Sequence, residues 1–322
     1  MNAGKVPGSG DLSVVIPVYN SADIFPELYN RLTKVLDTAR LRFEIIAVVD
    51  GCPDNSADVI ESYCRRDARV KLIEFSRNFG HQAAVTAGLA HARGQMVVVM
   101  DDDLEDPPEV IPEFVRLSRD GYDVVYGVRK ARKVSFYKRV SFKLFYRVFN
   151  YLSEIDMPLD AGDFCLFTRQ VVDHIRAMPE RNRYVRGLRT WVGFRQIGFS
   201  YQRGERLAGD SGYGLSKYLR LAMNAIFSFS YKPLHIFSYL GTVIALVGFV
   251  LGVIFILQKL IGPGIDVEGW VSLMIAVLFL GGVQLISIGV LGEYIARIYD
   301  EVKNRPSFVL KRVIGIDEES LQ

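Results

Sequence analysis

From residue 12 onward, short β-branched runs alternate with longer stretches whose apolar positions recur at helical spacing. Leu12 to Pro17, Phe43 to Val49, Val70 to Phe75 and Met96 to Met100 predict strands, while Ser21 to Ala39, Asp54 to Arg66 and Gln82 to Ala92 predict helices between them. Asp54 and Ser56 are candidate caps for the second helix. Strands alternating with helices predict an α/β domain built on a mostly parallel sheet. Each run ends in polar residues: Tyr19-Asn20, Asp50-Gly51, Ser76-Arg77-Asn78, and Asp101 to Asp103. In an open α/β sheet the carboxyl ends of the strands line the ligand crevice, so these four ends are expected to meet at one site.

After residue 235 the pattern changes. Ile236 to Leu257 and Trp270 to Leu291 are each 22 residues without a charge. As helices they are about 33 Å long, enough to cross a bilayer. The loop between them, Gln258 to Gly269, carries Lys259 against Asp266 and Glu268. The outer flanks carry Lys217, Arg220 and Lys232 on one side and Arg297, Lys303 and Arg305 on the other, which predicts cytoplasmic flanks and an external loop. Tyr213 to Leu234 mixes basic and large apolar residues, as expected of helices lying along a membrane surface or of an amphipathic helix packed on the domain. The expected organisation is a cytoplasmic domain over 1–212, interfacial helices over 213–234, two transmembrane helices over 235–296 and a cytoplasmic tail over 297–322.

Composition narrows the function class. A net charge of +3 over 322 residues, with no dense Lys/Arg block, argues against a nucleic-acid partner. Cys52, Cys64 and Cys165 lack metal-ligand spacing and leave an odd thiol, which favours a reducing compartment. Met1 to Asp11 has no apolar core of a secretory signal, consistent with a cytoplasmic N-terminal domain. His81, His91, His174 and His235 are scattered without ligand spacing.

The strongest local signal is Asp101-Asp102-Asp103-Leu104-Glu105-Asp106-Pro107-Pro108, directly after an apolar strand. Carboxylates this close repel unless a cation neutralises them. Hard oxygen ligands suit Mg²⁺ or Mn²⁺, and Mg²⁺ is commonly held by one or two carboxylates plus substrate phosphates. On an extended chain Asp101 and Asp103 share a direction and Asp102 points away.

Val14-Val15-Ile16-Pro17-Val18-Tyr19-Asn20, Asp50-Gly51, Ser76-Arg77-Asn78-Phe79-Gly80 and Asp101-x-Asp103-Leu104-x-Asp106-Pro107-Pro108 closely resemble glycosyltransferase family 2 enzymes with the Rossmann-like GT-A fold. More narrowly, they resemble the polyprenyl-phosphate glycosyltransferases related to dolichol-phosphate mannose synthase, in the bacterial two-span branch. Asp160-Ala161-Gly162-Asp163-Phe164, Arg203-x-x-Arg206-x-x-Gly209, the two apolar spans and Gly292-Glu293-Tyr294 extend the resemblance over nearly the whole chain.

The resemblance implies roles. Pro17, Tyr19, Asn20, Asp50, Arg77, Asp101 and Asp102 would hold the nucleotide, with Asp50 accepting from the base; uracil offers such an N–H, so a UDP-sugar is the expected donor. Asp101 and Asp103, with Glu105 where relatives commonly carry Gln, would hold the metal. Asp163 stands at the position proposed for the catalytic base, with Asp103 beside it, although it could also cap a helix next to Gly162. Arg129, Arg132, Arg203 and Arg206 are candidates for the acceptor phosphate, because guanidinium binds phosphate through two parallel hydrogen bonds. The chain departs from relatives in having Val49 where many have Asp, and Gly212 where a Lys is common, with Lys217 further along.

The expected activity is therefore transfer of a sugar from a nucleotide-sugar to polyprenyl phosphate, with inversion. Two other readings are a processive polysaccharide synthase and a non-catalytic nucleotide-binding membrane adaptor. No Gln-x-x-Arg-Trp segment is present, and two spans leave little material for a polymer channel. The acidic run and Asp163 oppose the adaptor. Gly241, Gly248, Gly252, Gly281, Gly282, Gly289 and Gly292 permit close helix packing, within the pair or in a homo-oligomer.

Overall fold

The computed structural model describes residues 11–129, 161–181, 183–202, 230–261 and 269–316. These fall into two compact units, one holding the sheet and its helices together with the segment from Arg305 onward, the other holding two long helices.

In the first unit, strands β1 (Leu12–Val18), β2 (Phe43–Val49), β3 (Val70–Phe75) and β4 (Met96–Val99) alternate with helices α1 (Phe25–Thr38), α2 (Ser56–Cys64) and α3 (His81–His91). A short 3₁₀ turn at Pro108–Val110 leads into α4 (Ile111–Arg119) and β5 (Val124–Arg129). After residue 160 come β6 (Ala161–Thr168), α5 (Arg169–Ala177), α6 (Val185–Trp191) and β7 (Gln196–Tyr201), and β8 (Leu310–Ile314) follows the second unit. The described strands form one eight-stranded sheet in the order β7-β5-β6-β4-β1-β2-β3-β8. Pairs β1–β2, β1–β4, β2–β3 and β5–β7 are parallel, whereas β6 and β8 run against their neighbours.

The reason the first four strands read as continuous apolar runs is visible in the packing. Every residue of β1 and β2 is buried, because helices cover both faces of a parallel sheet. Helix α3 lies so close that a Cβ on Gly88 would sit 2.1 Å from Val15 Cγ1. Two buried polar residues in this core are paired: Ser13 donates to Glu44 at 2.5 Å, and Glu44 also takes the Lys71 ammonium. Helix α1 begins at Phe25, later than its sequence pattern suggests, because Ser21 and Ala22 are engaged in loop hydrogen bonds to Ser56 and Asp54. Asp54 in turn accepts from the Ser56 amide at 3.2 Å as α2 starts.

Strand β8 was not apparent in the sequence. It pairs antiparallel with β3, so residues expected to be a tail complete the edge of the sheet.

In the second unit, α7 (Lys232–Ile261) and α8 (Trp270–Val302) are both long and apolar enough to cross a membrane. Each overruns its uncharged stretch. Helix α8 continues eleven residues beyond Leu291, where Glu293 and Arg297 form an i,i+4 pair at 3.0 Å that suits an exposed helical face. Tyr294, from the Gly-Glu-Tyr motif, donates its hydroxyl to the Ser230 carbonyl at 2.7 Å. Most of the proposed interfacial segment, 213–229, lies outside the described residues.

Candidate active site

Four strand ends meet where the strand order reverses beside β1, which is where an open α/β sheet forms its crevice. The loop after β1 turns at Asn20, whose φ of 58° is left-handed, a conformation asparagine tolerates. It is held by Asp102, which accepts from the Tyr19 amide at 3.1 Å and the Ser21 hydroxyl at 2.6 Å. The Asn20 amide lies 3.3 Å from Cys52 Sγ. Tyr19 itself is 53% exposed. Pro17 is buried within β1.

Asp50, at the end of β2, is buried and accepts from the backbone amides of Phe79 at 2.6 Å and Gly80 at 2.8 Å. Its carboxylate thus fastens the turn after β3, and any contact to a base uses its remaining lone pairs. Gly51 makes the junction feasible: its φ is 58°, and a Cβ there would sit 2.1 Å from the Arg77 carbonyl carbon. Arg77 lies over the Phe79 ring at 4.0 Å and donates to the Asn78 carbonyl.

The acidic run is not strand. β4 ends at Val99, and residues 102–106 form a tight turn in which buried Leu104 takes φ 58°. Alternation therefore does not set where these acids point. A non-glycine residue held left-handed costs about 1–2 kcal/mol, which the packing around Leu104 must offset. Three directions result: Asp102 faces the β1 loop, Asp103 accepts from the Glu105 amide at 3.0 Å, and Asp101 meets His81 Nε2 at 3.1 Å. Glu105 is only 5% exposed. Asp106, fully buried, accepts from the Tyr201 hydroxyl and from Arg129 at 3.2 Å. Arg129, a candidate for the acceptor phosphate, is thereby engaged with the base of the acidic turn while remaining 31% exposed.

Asp163 comes from β6 and faces the same place. His81 Nε2 is 3.8 Å from its Oδ2, so the imidazole stands between Asp101 and Asp163. Arg186, on α6, grips Asp163 with both arms of its fork, Nε at 2.6 Å and an Nη at 2.8 Å. Burial pushes the Asp163 carboxyl up, but the Arg186 charge and its hydrogen bonds outweigh that, and the group is held below the usual range as an anion. Among the described residues no arginine grips Asp101 in this way. Burial first, and then the charges of Asp163, Asp106, Asp103 and Asp102, push it up to about 8.

Arg186 was not singled out from the sequence, and His81 was discounted there as a metal ligand, with only a place beside the donor through the Ser76–Gly80 turn left to it. His81 carries a signal in retrospect, as the first helical residue after the Ser76–Gly80 turn; nothing in the spacing marks Arg186. Arg132, Arg203 and Arg206 lie outside the described residues.

The residues present suit a divalent cation of the kind the acidic run suggests. No three His, Cys, Asp or Glu side chains converge as a closed ligand set among the described residues. What they offer is an acid-crowded turn whose Asp101 is destabilised as an anion by its neighbours. A cation bound by one or two carboxylates and completed by phosphate oxygens relieves that crowding.

The sheet order, the acidic turn after β4 and the carboxylate delivered by β6 define a GT-A glycosyltransferase. Residues 13–176 match glycosyl transferase family 2, and the chain belongs to that family. Residues 232–298 match the GtrB C-terminal hairpin. Among curated relatives, the chain is 44% identical to the uncharacterized glycosyltransferase YkcC of Bacillus subtilis (strain 168), covering 96% of each chain. It is 40% identical to the prophage bactoprenol glucosyl transferase homolog of Escherichia coli (strain K12), covering 94% of this chain and 99% of that one. It is 39% identical to the SfII prophage-derived bactoprenol glucosyl transferase of Shigella flexneri, over 94% and 97%. Among solved structures, a mannosyltransferase from Pyrobaculum calidifontis in complex with GDP-Man and Mn²⁺ aligns at a TM-score of 0.49 and 16% identity, over 91% of this chain and 87% of that one.

Proposed function

We propose that this glycosyltransferase moves a sugar from a nucleotide-sugar, a UDP-sugar by the Asp50 argument, to a polyprenyl phosphate at the cytoplasmic face of a membrane, inverting the anomeric configuration. The observation that supports it most is the pairing of Asp101 and Asp163 across His81 at the strand-end crevice, in a chain that matches bactoprenol glucosyl transferases along nearly its whole length.

The chemistry is a single displacement. A phosphate oxygen of the acceptor attacks the anomeric carbon, the bond from that carbon to the donor diphosphate breaks, and the nucleoside diphosphate leaves with the electron pair. A divalent cation held by Asp101 and Asp103, with Glu105 behind the turn, would supply charge neutralisation to the departing diphosphate. A phosphate monoester is already largely ionised near neutral pH, with a second pKa of about 6, so little general-base help is needed. An Asp163 held as an anion by Arg186 suits a different role, in which it accepts a hydrogen bond from a sugar hydroxyl and orients the reacting carbon. Arg129, Arg132, Arg203 and Arg206 are proposed to attract the acceptor phosphate, Arg129 through whatever reach its contact with Asp106 leaves.

Membrane placement gains support from β8. Because the chain leaves the sheet after β7 and rejoins it at β8, it must cross a bilayer an even number of times between them, and α7 and α8 provide two crossings. The basic flanks support a cytoplasmic catalytic domain.

The test is a panel of labelled UDP-sugars incubated with the full chain in lipid and undecaprenyl phosphate. One sugar is expected to give organic-phase label released by mild acid; absence of lipid-linked product from every donor would overturn the reading.

A further inference from the structure

The geometry points to strand β8 and the residues just before it as a positioning element of the donor site, so that the chain beyond the second long helix is required for nucleotide binding. This rests on the reading of the strand-end crevice as the nucleotide site. Neither matched family segment includes these residues, since the second ends at 298.

The contact path is continuous. Phe308 stacks on Phe75, the last residue of β3, with centroids 5.0 Å apart and planes at 10°. Phe75 meets Phe79 edge-on at 5.7 Å. Phe79 and Gly80 donate their amides to Asp50. In parallel, the Val309 carbonyl accepts from the Ser76 amide at 3.0 Å, which pins the first residue of the turn. The Ser76–Gly80 turn is thus held by Phe308 and Val309 as well as by Asp50.

The strand is anchored to do this. Arg312 donates to Glu74 at 2.9 Å, contacts Glu61 and lies 3.6 Å from Asp58, while Lys311 reaches Glu74 at 2.7 Å. The register slips between Glu74 and Phe75, so that Phe75 faces Leu310 and the aromatic contact falls on Phe308. The strand follows α8 after a helix end closed by Asn304 at φ 48°. An antiparallel edge strand adds hydrogen bonds but leaves side-chain pairing to set specificity. Here the side chain nearest the turn is the aromatic Phe308, which lies two residues before β8 begins.

The experiment uses the full chain in lipid nanodiscs, with uridine diphosphate and Mn²⁺ as the probe. In Phe308→Ala the dissociation constant for uridine diphosphate and the donor KM are expected to rise about three- to tenfold, with kcat at saturating donor kept within about twofold. Phe308→Tyr, which preserves the stack, is expected to restore both. Hydrogen exchange supplies a readout independent of ligand: the 76–80 amides exchange faster in Phe308→Ala while those of β1 and β4 do not change. Wild-type affinity in a folded Phe308→Ala with unchanged exchange at 76–80 overturns the inference and leaves the crevice reading standing. If the wild type itself binds no nucleotide, the crevice reading falls and this inference with it, even where exchange at 76–80 responds. A uniform rise in exchange across all strands, unrescued by Phe308→Tyr, marks a global stability effect and also overturns it.

Discussion

Replacing Arg186 with Gln probes the site where its structure is most explicit. Arg186 gives Asp163 two charge-assisted hydrogen bonds, at 2.6 and 2.8 Å, and the two side chains are 31% and 13% exposed. A hydrogen bond to a charged group contributes about 1.5–3 kcal/mol. Gln retains one donor and no charge, so the loss is about one such bond. Only part of that energy reaches the transition state, because Arg186 acts through a carboxylate whose own replacement is expected to cost less than about tenfold, so kcat falls about three- to tenfold at 1.36 kcal/mol per decade. Arg186→Lys keeps the charge but not the fork and falls between Gln and wild type. The assay is initial-rate formation of lipid-linked sugar at saturating donor, alongside thermal unfolding. The double variant Asp163→Asn/Arg186→Gln is expected to be no slower than Asp163→Asn alone, because the arginine acts through the carboxylate. A loss below threefold in Arg186→Gln, or additive losses in the double variant, would refute the claim that Arg186 positions Asp163.

Other consequences are testable in the same preparations. Asp163→Asn should slow transfer by less than about tenfold if the residue orients and is not an essential base, whose share is usually 10²–10⁴; a kcat loss beyond that range's lower end contradicts the orienting role. Gly51→Ala places a methyl group against the Arg77 backbone, so donor KM should rise while transfer at saturation persists; an unchanged KM would show that the turn does not contact the donor. Glu44, buried against Lys71, is pushed up by burial and pulled further down by Lys71, Ser13 and the Arg93 amide, so its folded value lies below its unfolded one. Its contribution is therefore full above about pH 4.3 and drains as pH falls through the folded value. Glu44→Gln should cost about 3 kcal/mol near neutral pH and flatten the acid limb of the stability curve, measured by denaturant unfolding; an acid limb of unchanged slope would contradict the pairing.

How far the sequence revealed the molecule depended on how local each signal was. Strands β1 to β4 were legible because helices bury both faces and leave short runs dominated by Val, Ile and Leu. Strand β8 was not, since Leu-Lys-Arg-Val-Ile is short and charged and its partner β3 lies more than 230 residues earlier. The site divided in the same way. Asp50, Asp101 and Asp163 stood out because each follows or ends a recognisable motif, and the structure brings Asp101 and Asp163 to one imidazole. Arg186 was invisible because its role is defined only by a carboxylate on another element, far off in the chain. The direction of the acids also escaped, because period-2 reasoning requires a strand and β4 had already ended at Val99.

On this account the acid-rich crevice activates a nucleotide-sugar, with a divalent cation, for attack by a lipid phosphate. The most direct measurement follows transfer of labelled sugar into the organic phase with the purified full chain under three conditions: complete, without polyprenyl phosphate, and with a chelator. The account predicts label only in the complete reaction, with activity recovered when Mg²⁺ or Mn²⁺ is returned in excess of the chelator. Equal label in chelator, or label independent of the lipid phosphate, would contradict it.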